Sequence, residues 1–239
     1  MIFIPARIGS TRFPSKVLAE IQGIPMVIRT AQAVAALDTV VIATDAPEVA
    51  ALAEEYGFRA VLTSADHASG TERIYEAARL LDLPEDEIIL NVQADEPFIE
   101  KEVVEAVYAL TKSSANLPGF LAASAYKCIS NPEADDPNLV KVVTDERNMA
   151  LYFSRAKIPY PRDHHFDDYK GHLGIYGFTM ATLSRYSTLS ETPLEQIEKL
   201  EQLRILAHGY KIAMVEVQTE SFGIDTPEDL QKALRKHLL

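Results

Sequence analysis

Three cations, Arg7, Arg12 and Lys16, stand within ten positions of one another, directly after the apolar run Ile2-Phe3-Ile4-Pro5. Gly9, Ser10 and Thr11 lie between them, so a turn able to approach a ligand closely carries hydroxyls and positive charge together. The chain as a whole is acidic, with a formal charge of −12, which makes a local basic cluster informative. Backbone N–H groups of such a loop form an anion cradle, and its cations balance the charge that develops on a transferring phosphate. The same residues are compatible with a solvated surface turn, a reading that accounts poorly for the arginines. The loop is neither a Walker A sequence nor a G-x-G-x-x-G fingerprint, so P-loop NTPases and dinucleotide-dependent dehydrogenases lose their main signal.

Acidic residues supply the complementary chemistry. Gln93-Ala94-Asp95-Glu96-Pro97 follows the apolar run Ile88-Ile89-Leu90-Asn91-Val92. Magnesium takes hard oxygen ligands, commonly one or two carboxylates completed by phosphate oxygens and water, which makes Asp95 a candidate ligand. A second candidate lies far away, in Gly223-Ile224-Asp225-Thr226-Pro227-Glu228-Asp229-Leu230. There Asp225 or Thr226 equally suits the cap of a final helix, with Pro227 at its first position. Asp66-His67-Ala68-Ser69-Gly70-Thr71-Glu72-Arg73 precedes a further helical pattern, with Ser69 or Thr71 available as its cap.

Pro5-Ala6-Arg7, Gly9-Ser10-Thr11-Arg12, Pro14 and Lys16 together resemble the nucleotide-binding signature of the CMP-sugar synthetases, within the nucleotide-diphospho-sugar transferases. The early Lys16 sets the loop apart from the longer one of enzymes that act on sugar 1-phosphates. The string S-G-T-E-R after D-H resembles the family segment that contacts cytosine and ribose. Q-A-D-E-P and G-I-D-T-P-E-D-L resemble the two magnesium-binding segments of the 3-deoxy-manno-octulosonate (Kdo) cytidylyltransferases. Three further stretches, Leu151 to Pro159, His172 to Phe178 and Pro193 to Arg204, are also similar to that family, so the likeness spans nearly the whole chain.

The resemblance implies a Mg2+-dependent enzyme that transfers CMP from CTP to a Kdo-type sugar acid by direct in-line displacement. Pyrophosphate leaves, and the product serves lipopolysaccharide biosynthesis. It implies Lys16, Arg12, Asp95 and Asp225 as catalytic residues, with Asp95 and Asp225 holding the metal. Ala6, Arg7, Ser10, Thr11, Arg12, Lys16, Ser69, Gly70, Arg73 and Gln93 are the implied CTP contacts. An acidic, polyhydroxylated sugar needs a cation for its carboxylate and hydrogen-bond partners for its hydroxyls, for which Arg155, His172, Tyr176, Glu201 and Gln202 are the candidates. The chain departs from the family at Ala94, where glycine is usual, and at Gly171, where a basic residue often precedes His172. The alternatives are a sugar-1-phosphate nucleotidyltransferase and a nucleotide- or sugar-binding module without activity.

These residues need a scaffold, and the hydrophobic pattern describes one. Short apolar runs at Met1 to Pro5, Thr39 to Thr44, Arg59 to Leu62 and Glu87 to Val92 alternate with helical patterns at Met26 to Leu37, Pro47 to Tyr56, Glu72 to Leu81 and Glu102 to Leu110. That order predicts a Rossmann-like α/β fold, a mostly parallel sheet with helices on both faces. The second half is less regular. Strands are predicted at Phe120 to Lys127, Val140 to Thr144 and His172 to Phe178, and helices at Pro193 to His208 and Pro227 to Leu238. Residues 154 to 171 read as a long loop or arm, and the region of about 150–180 is expected to serve dimerisation in a homodimer, within one domain covering 1–239. His164 and His165 within it suit a mobile polar loop better than a metal site.

Composition bounds the remainder. A 239-residue chain with 47% hydrophobic content buries a full core. The single cysteine, Cys128, excludes an internal disulfide framework and any multi-cysteine zinc site. The negative charge disfavours nucleic-acid binding. No apolar run approaches membrane-spanning length and the N-terminus lacks a basic leader, so a cytoplasmic protein with no membrane partner is expected.

Overall fold

The computed structural model of the chain describes residues 1–9, 13–163 and 166–237, with residues 236 and 237 as backbone alone. Strand β1 (Ile2–Ala6) is buried along its whole length, as a continuous apolar run between two helical layers must be. A 3-10 turn at Lys16–Leu18 leads into a hairpin of β2 (Glu20–Ile21) and β3 (Ile24–Pro25). Then follow α1 (Met26–Val34), β4 (Val40–Thr44), α2 (Pro47–Glu55), β5 (Arg59–Leu62), α3 (Gly70–Leu80), β6 (Ile88–Asn91) and α4 (Lys101–Ser114). This is the alternating half that the periodicity predicts. The second half contains β7 (Phe120–Ile129), β8 (Lys141–Thr144), β9 (Ala150–Ser154), β10 (Tyr169–Thr179), α5 (Met180–Ser187), α6 (Pro193–Glu198), α7 (Gln202–Ala207), β11 (Lys211–Glu216) and α8 (Pro227–His237).

The main sheet runs β11-β7-β10-β6-β1-β4-β5, with β8 attached to β10 and β9 to β8. β5, β4, β1 and β6 are parallel, β10 is antiparallel to both β6 and β7, and β11 is parallel to β7. A mostly parallel sheet therefore carries one reversed strand near its middle. Ile2, Ile4 and Ala6 of β1 pack in one core with α1, α2 and α4, while Phe3 packs in the other with α3 and α5. Successive strand residues face opposite sides, which places helices on both faces.

Residues 169 to 179 of the expected arm region form β10, between β6 and β7. Gly177 is required there because α4 crosses β10 closely: a Cβ at this position would meet Thr111 Oγ1 at 2.0 Å. The single helix expected from Pro193 to His208 is instead two, separated by Lys199 in the left-handed conformation (φ 55°, ψ 48°). Its cause is a buried ion pair, in which Arg204 donates to both carboxylate oxygens of Glu195, at 2.9 and 2.7 Å. In a straight helix, residues nine apart would be separated by about 13 Å along the axis, so the chain must turn back to make this pair.

Candidate active site

Open α/β sheets bind ligands at the carboxyl ends of their strands, where the strand order reverses. Here β6 pairs with β1 only at Ile2 and Phe3, so beyond that point β1 is paired with β4 alone. Pro5, which has no N–H to offer a ladder, falls in this one-sided stretch. The gap opens into a cavity of about 420 Å3 lined by Pro5, Arg7, Lys16, Ser69, Gly70, Arg73, Gln93, Ala94, Asp95 and Asp225, among others. A second cavity, of about 700 Å3, is lined by His172, Tyr176, Gln202, Lys127 and Lys232 and shares Gln93, Lys199, Glu201 and Asp225 with the first. The two are halves of one cleft.

At the junction, Lys16 Nζ donates to Asp95 Oδ2 at 2.6 Å and to Asp225 Oδ1 at 2.8 Å. Carboxylates from the loop after β6 and from the segment before α8 thus converge on one cation. Burial pulls the Lys16 ammonium toward neutrality, but the charges and hydrogen bonds of Asp95 and Asp225 outweigh it and hold its pKa above the usual lysine value. Either Asp225 or Thr226 suited the cap of the last helix. Thr226 takes that role: its Oγ1 accepts from Asp229 N at 3.1 Å, and Asp229 Oδ2 accepts from Thr226 N at 2.9 Å. The Asp225 carboxylate is thereby left to face the cleft.

The nucleotide half is built on the start of α3. Ser69 caps this helix by accepting from Glu72 N at 3.2 Å. Gly70 permits the close approach of the helix to β1, since a Cβ would meet Pro5 Cγ at 3.0 Å. Arg73 is buried and donates to Asp45 Oδ2, Thr63 Oγ1 and the Ser64 carbonyl. His67 also lines this half and pairs with Glu76. From Gln93 a chain of hydrogen bonds runs through Asn91 and Thr71 to Glu201 Oε1, so the floor joins both halves. Among the described residues, the second Glu201 oxygen is buried with no hydrogen-bond partner within reach. Burial pushes the Glu201 carboxyl up.

On the sugar side, His172 Nε2 lies 3.0 Å from Ser124 Oγ, and burial lowers the pKa of the imidazole to about 3, so the ring is neutral at pH 7. Tyr176 is raised well above the usual tyrosine range by burial and by the Glu201 charge, which keeps its hydroxyl protonated. Gly171 stands across the strand pair from Lys127, and this lysine of β7 lines the cleft. Glu96, beside Asp95, is pushed up to about 7 by burial and by the Asp95 charge.

Of the residues expected from the sequence, Arg7, Lys16, Ser69, Gly70, Arg73, Gln93, Asp95, His172, Tyr176, Glu201, Gln202 and Asp225 line this cleft. Ala6 ends β1 just before it. Ser10, Thr11 and Arg12 lie outside the described residues, as do His164 and His165. Arg155 is absent from both linings; its guanidinium donates to the carbonyls of Glu198, Pro137 and Lys199. Residues that the sequence reading passed over also line the cleft, including Lys127, Lys199 and Lys232. Lys199 carried one signal, its place midway along a charged helical pattern, but its exposure to both halves depends on the break described above.

A strand-end cleft in which lysines and arginines face carboxylates on this sheet defines a nucleotidyltransferase, and a family model described as cytidylyltransferase matches residues 1–212. A 3-deoxy-manno-octulosonate cytidylyltransferase of Wolinella succinogenes is 53% identical over 98% of both chains. One from Nitratiruptor sp. is 58% identical over 97% of both, and one from Helicobacter pylori is 51% identical over 98% of this chain and 96% of its own. The solved structure of a CMP:2-keto-3-deoxy-manno-octonic acid synthetase complexed with CTP superposes with a TM-score of 0.88 at 40% identity, covering 100% of this chain and 98% of its own. A cytidylyltransferase of Leptospira borgpetersenii, 18% identical with a TM-score of 0.61 over 100% of this chain and 87% of its own, shares the fold. The chain belongs to the 3-deoxy-manno-octulosonate cytidylyltransferase family. Among the described residues no helix is long and apolar enough to cross a membrane.

Proposed function

We propose that the chain transfers the cytidylyl group of CTP to the anomeric hydroxyl of a Kdo-type 3-deoxy-octulosonic acid, releasing pyrophosphate, with Mg2+ as cofactor. The observation that carries this reading is the convergence of Asp95 and Asp225 on one cationic position where the two halves of the cleft meet. Two hard anionic oxygens with room beside them for phosphate oxygens suit magnesium, and the Lys16 ammonium now marks a place that favours positive charge. When bound between Asp95 and Asp225, Mg2+ supplies charge stabilisation and lowers the pKa of a coordinated hydroxyl.

The chain's own residues provide orientation and charge. Arg7 and Lys16, with Arg12, hold the triphosphate and balance the charge that builds on the departing pyrophosphate. The capped start of α3 and buried Arg73 shape the base and ribose end. Neutral His172, protonated Tyr176, and Glu201 with Gln202 offer hydrogen bonds to the sugar hydroxyls, fixing the attacking oxygen in line. Lys199 and Lys232 line the cleft as candidate partners for the sugar carboxylate, in place of Arg155.

The test is a pyrophosphate-release assay. CTP with Kdo and Mg2+ is expected to turn over, EDTA to stop it, and a sugar 1-phosphate with any nucleotide to give no release. Faster release with a sugar 1-phosphate would overturn the reading in favour of the other nucleotidyltransferase class.

We also propose that the protein works in the cytoplasm as a homodimer, its product serving lipopolysaccharide biosynthesis, with the 150–180 region contributing to the interface. Supporting this, Leu151 on β9 and Ile197 on α6 are 60% and 78% exposed. A hydrogen bond from Ser154 Oγ to Glu198 Oε1 links these two elements. Sedimentation at micromolar concentration is expected to give a single dimeric species, and a monomer there would remove the proposal.

A further inference from the structure

The route by which Asp225 reaches the cleft is irregular. Between β11 and α8, residues 217 to 226 form neither helix nor strand. A free segment of that length would sample many positions relative to Asp95, yet two divalent-cation ligands must be held within narrow limits.

Side chains from the loop after β6 fasten it. Ser221 Oγ donates to Glu96 Oε2 at 2.8 Å, and Ser221 is buried. Thr219 Oγ1 donates to Glu100 Oε2, while Glu220 N donates to the other Glu100 oxygen at 3.1 Å. Ser221 N in turn donates to Thr219 Oγ1 at 3.0 Å, and Lys127 Nζ donates to the Ser221 carbonyl at 3.1 Å. A final bond, from Ile224 N to the Asp95 carbonyl at 2.9 Å, closes the run immediately before Asp225. Glu96 adjoins Asp95 and Glu100 immediately precedes α4, so both anchors belong to the element that carries the first carboxylate. The carboxyl oxygens that meet the segment accept, and every group offered to them by the segment is a donor.

We propose that Glu96 and Glu100, through Ser221 and Thr219, are positioning residues that set the separation of Asp225 from Asp95 and so the fit of the site to its divalent cation. The inference rests on the cation reading given under the proposed function, and it gives four residues a role that acts through Asp95 and Asp225.

The experiment compares the full chain with Thr219→Val/Ser221→Ala, Thr219→Val alone, Thr219→Ser and Asp225→Asn. Calorimetric titration with CTP is run once in Mn2+ and once in EDTA, without sugar so that nothing turns over, and melting temperatures are recorded beside it. The double variant is expected to lose about tenfold in affinity for CTP in Mn2+, to bind CTP in EDTA within about twofold of wild type, and Thr219→Ser to match wild type in both. Should the double variant fail to fold, Thr219→Val carries the test, with Thr219→Ser restoring the hydroxyl. Wild-type affinity in Mn2+ for the clasp variants, alongside a loss in Asp225→Asn, overturns the clasp. An equal loss with and without metal also overturns it, because a merely structural defect acts on both. Wild-type affinity for Asp225→Asn in Mn2+ overturns the cation reading itself.

Discussion

Exchanging Asp225 for asparagine is expected to lower turnover by at least about 10^3-fold, because the position loses one of the two formal charges proposed to hold the divalent ion, a contribution of several kcal/mol to the transition state. The fold should barely notice. The Asp225 side chain is 41% exposed, and Lys16, its partner, keeps the second ion pair with Asp95. Loss of a pair this open is worth about 0–1 kcal/mol, so the melting temperature moves by a few degrees at most. Asp95→Asn is expected to be as slow. The double asparagine variant should be no slower than either single one, since the carboxylates act as a unit and losing one already dismantles it. Pyrophosphate release from CTP and Kdo, paired with thermal melts of each variant, is the measurement. Turnover within about tenfold of wild type in either single variant would remove that aspartate from the site.

Why this pair was only half legible in the sequence is itself physical. Strands β1, β4 and β6 could be read because strands covered on both faces are continuous apolar runs, and α1 to α4 because each buries one stripe. The basic loop and the acidic Gln93 to Pro97 turn were then placed at strand ends by simple alternation. Strand β11 was missed because Lys211-Ile-Ala-Met-Val-Glu has no alternation; its state is imposed by parallel pairing with β7. Helix α5 was missed because it is short and mixes Ser and Thr with its few apolar residues, and its start is set by the reciprocal bonds of Thr179 and Thr182. Arg155 looked like a cation for a sugar carboxylate, but the break at Lys199 ends α6 and leaves carbonyls of Glu198 and Lys199 for the guanidinium to satisfy. Which side chains enter the cleft from residues 193 to 232 therefore depends on long-range pairs, Glu195 with Arg204 and Glu96 with Ser221, that no local period announces.

Lys16 is the residue whose loss should produce effects of opposite sign. Its ammonium lies between Asp95 and Asp225 and spends two of its three donors on them. Lys16→Met is expected to cut turnover by about 10^2 to 10^3-fold, the range for removing one preorganised donor from developing charge. The same substitution removes a positive charge that is hydrogen-bonded to both carboxylates, which favours the uptake of another cation beside them. Mn2+ binding without nucleotide, followed by the paramagnetic resonance of the free ion, should therefore tighten by about tenfold in Lys16→Met while catalysis falls. A lysine that only gripped phosphate would slow the reaction and leave nucleotide-free Mn2+ binding unchanged, so an unchanged or weaker affinity would show that its ammonium does not compete for the metal's place. Tightening would show that the Lys16 ammonium and the proposed divalent ion compete for the same two carboxylates.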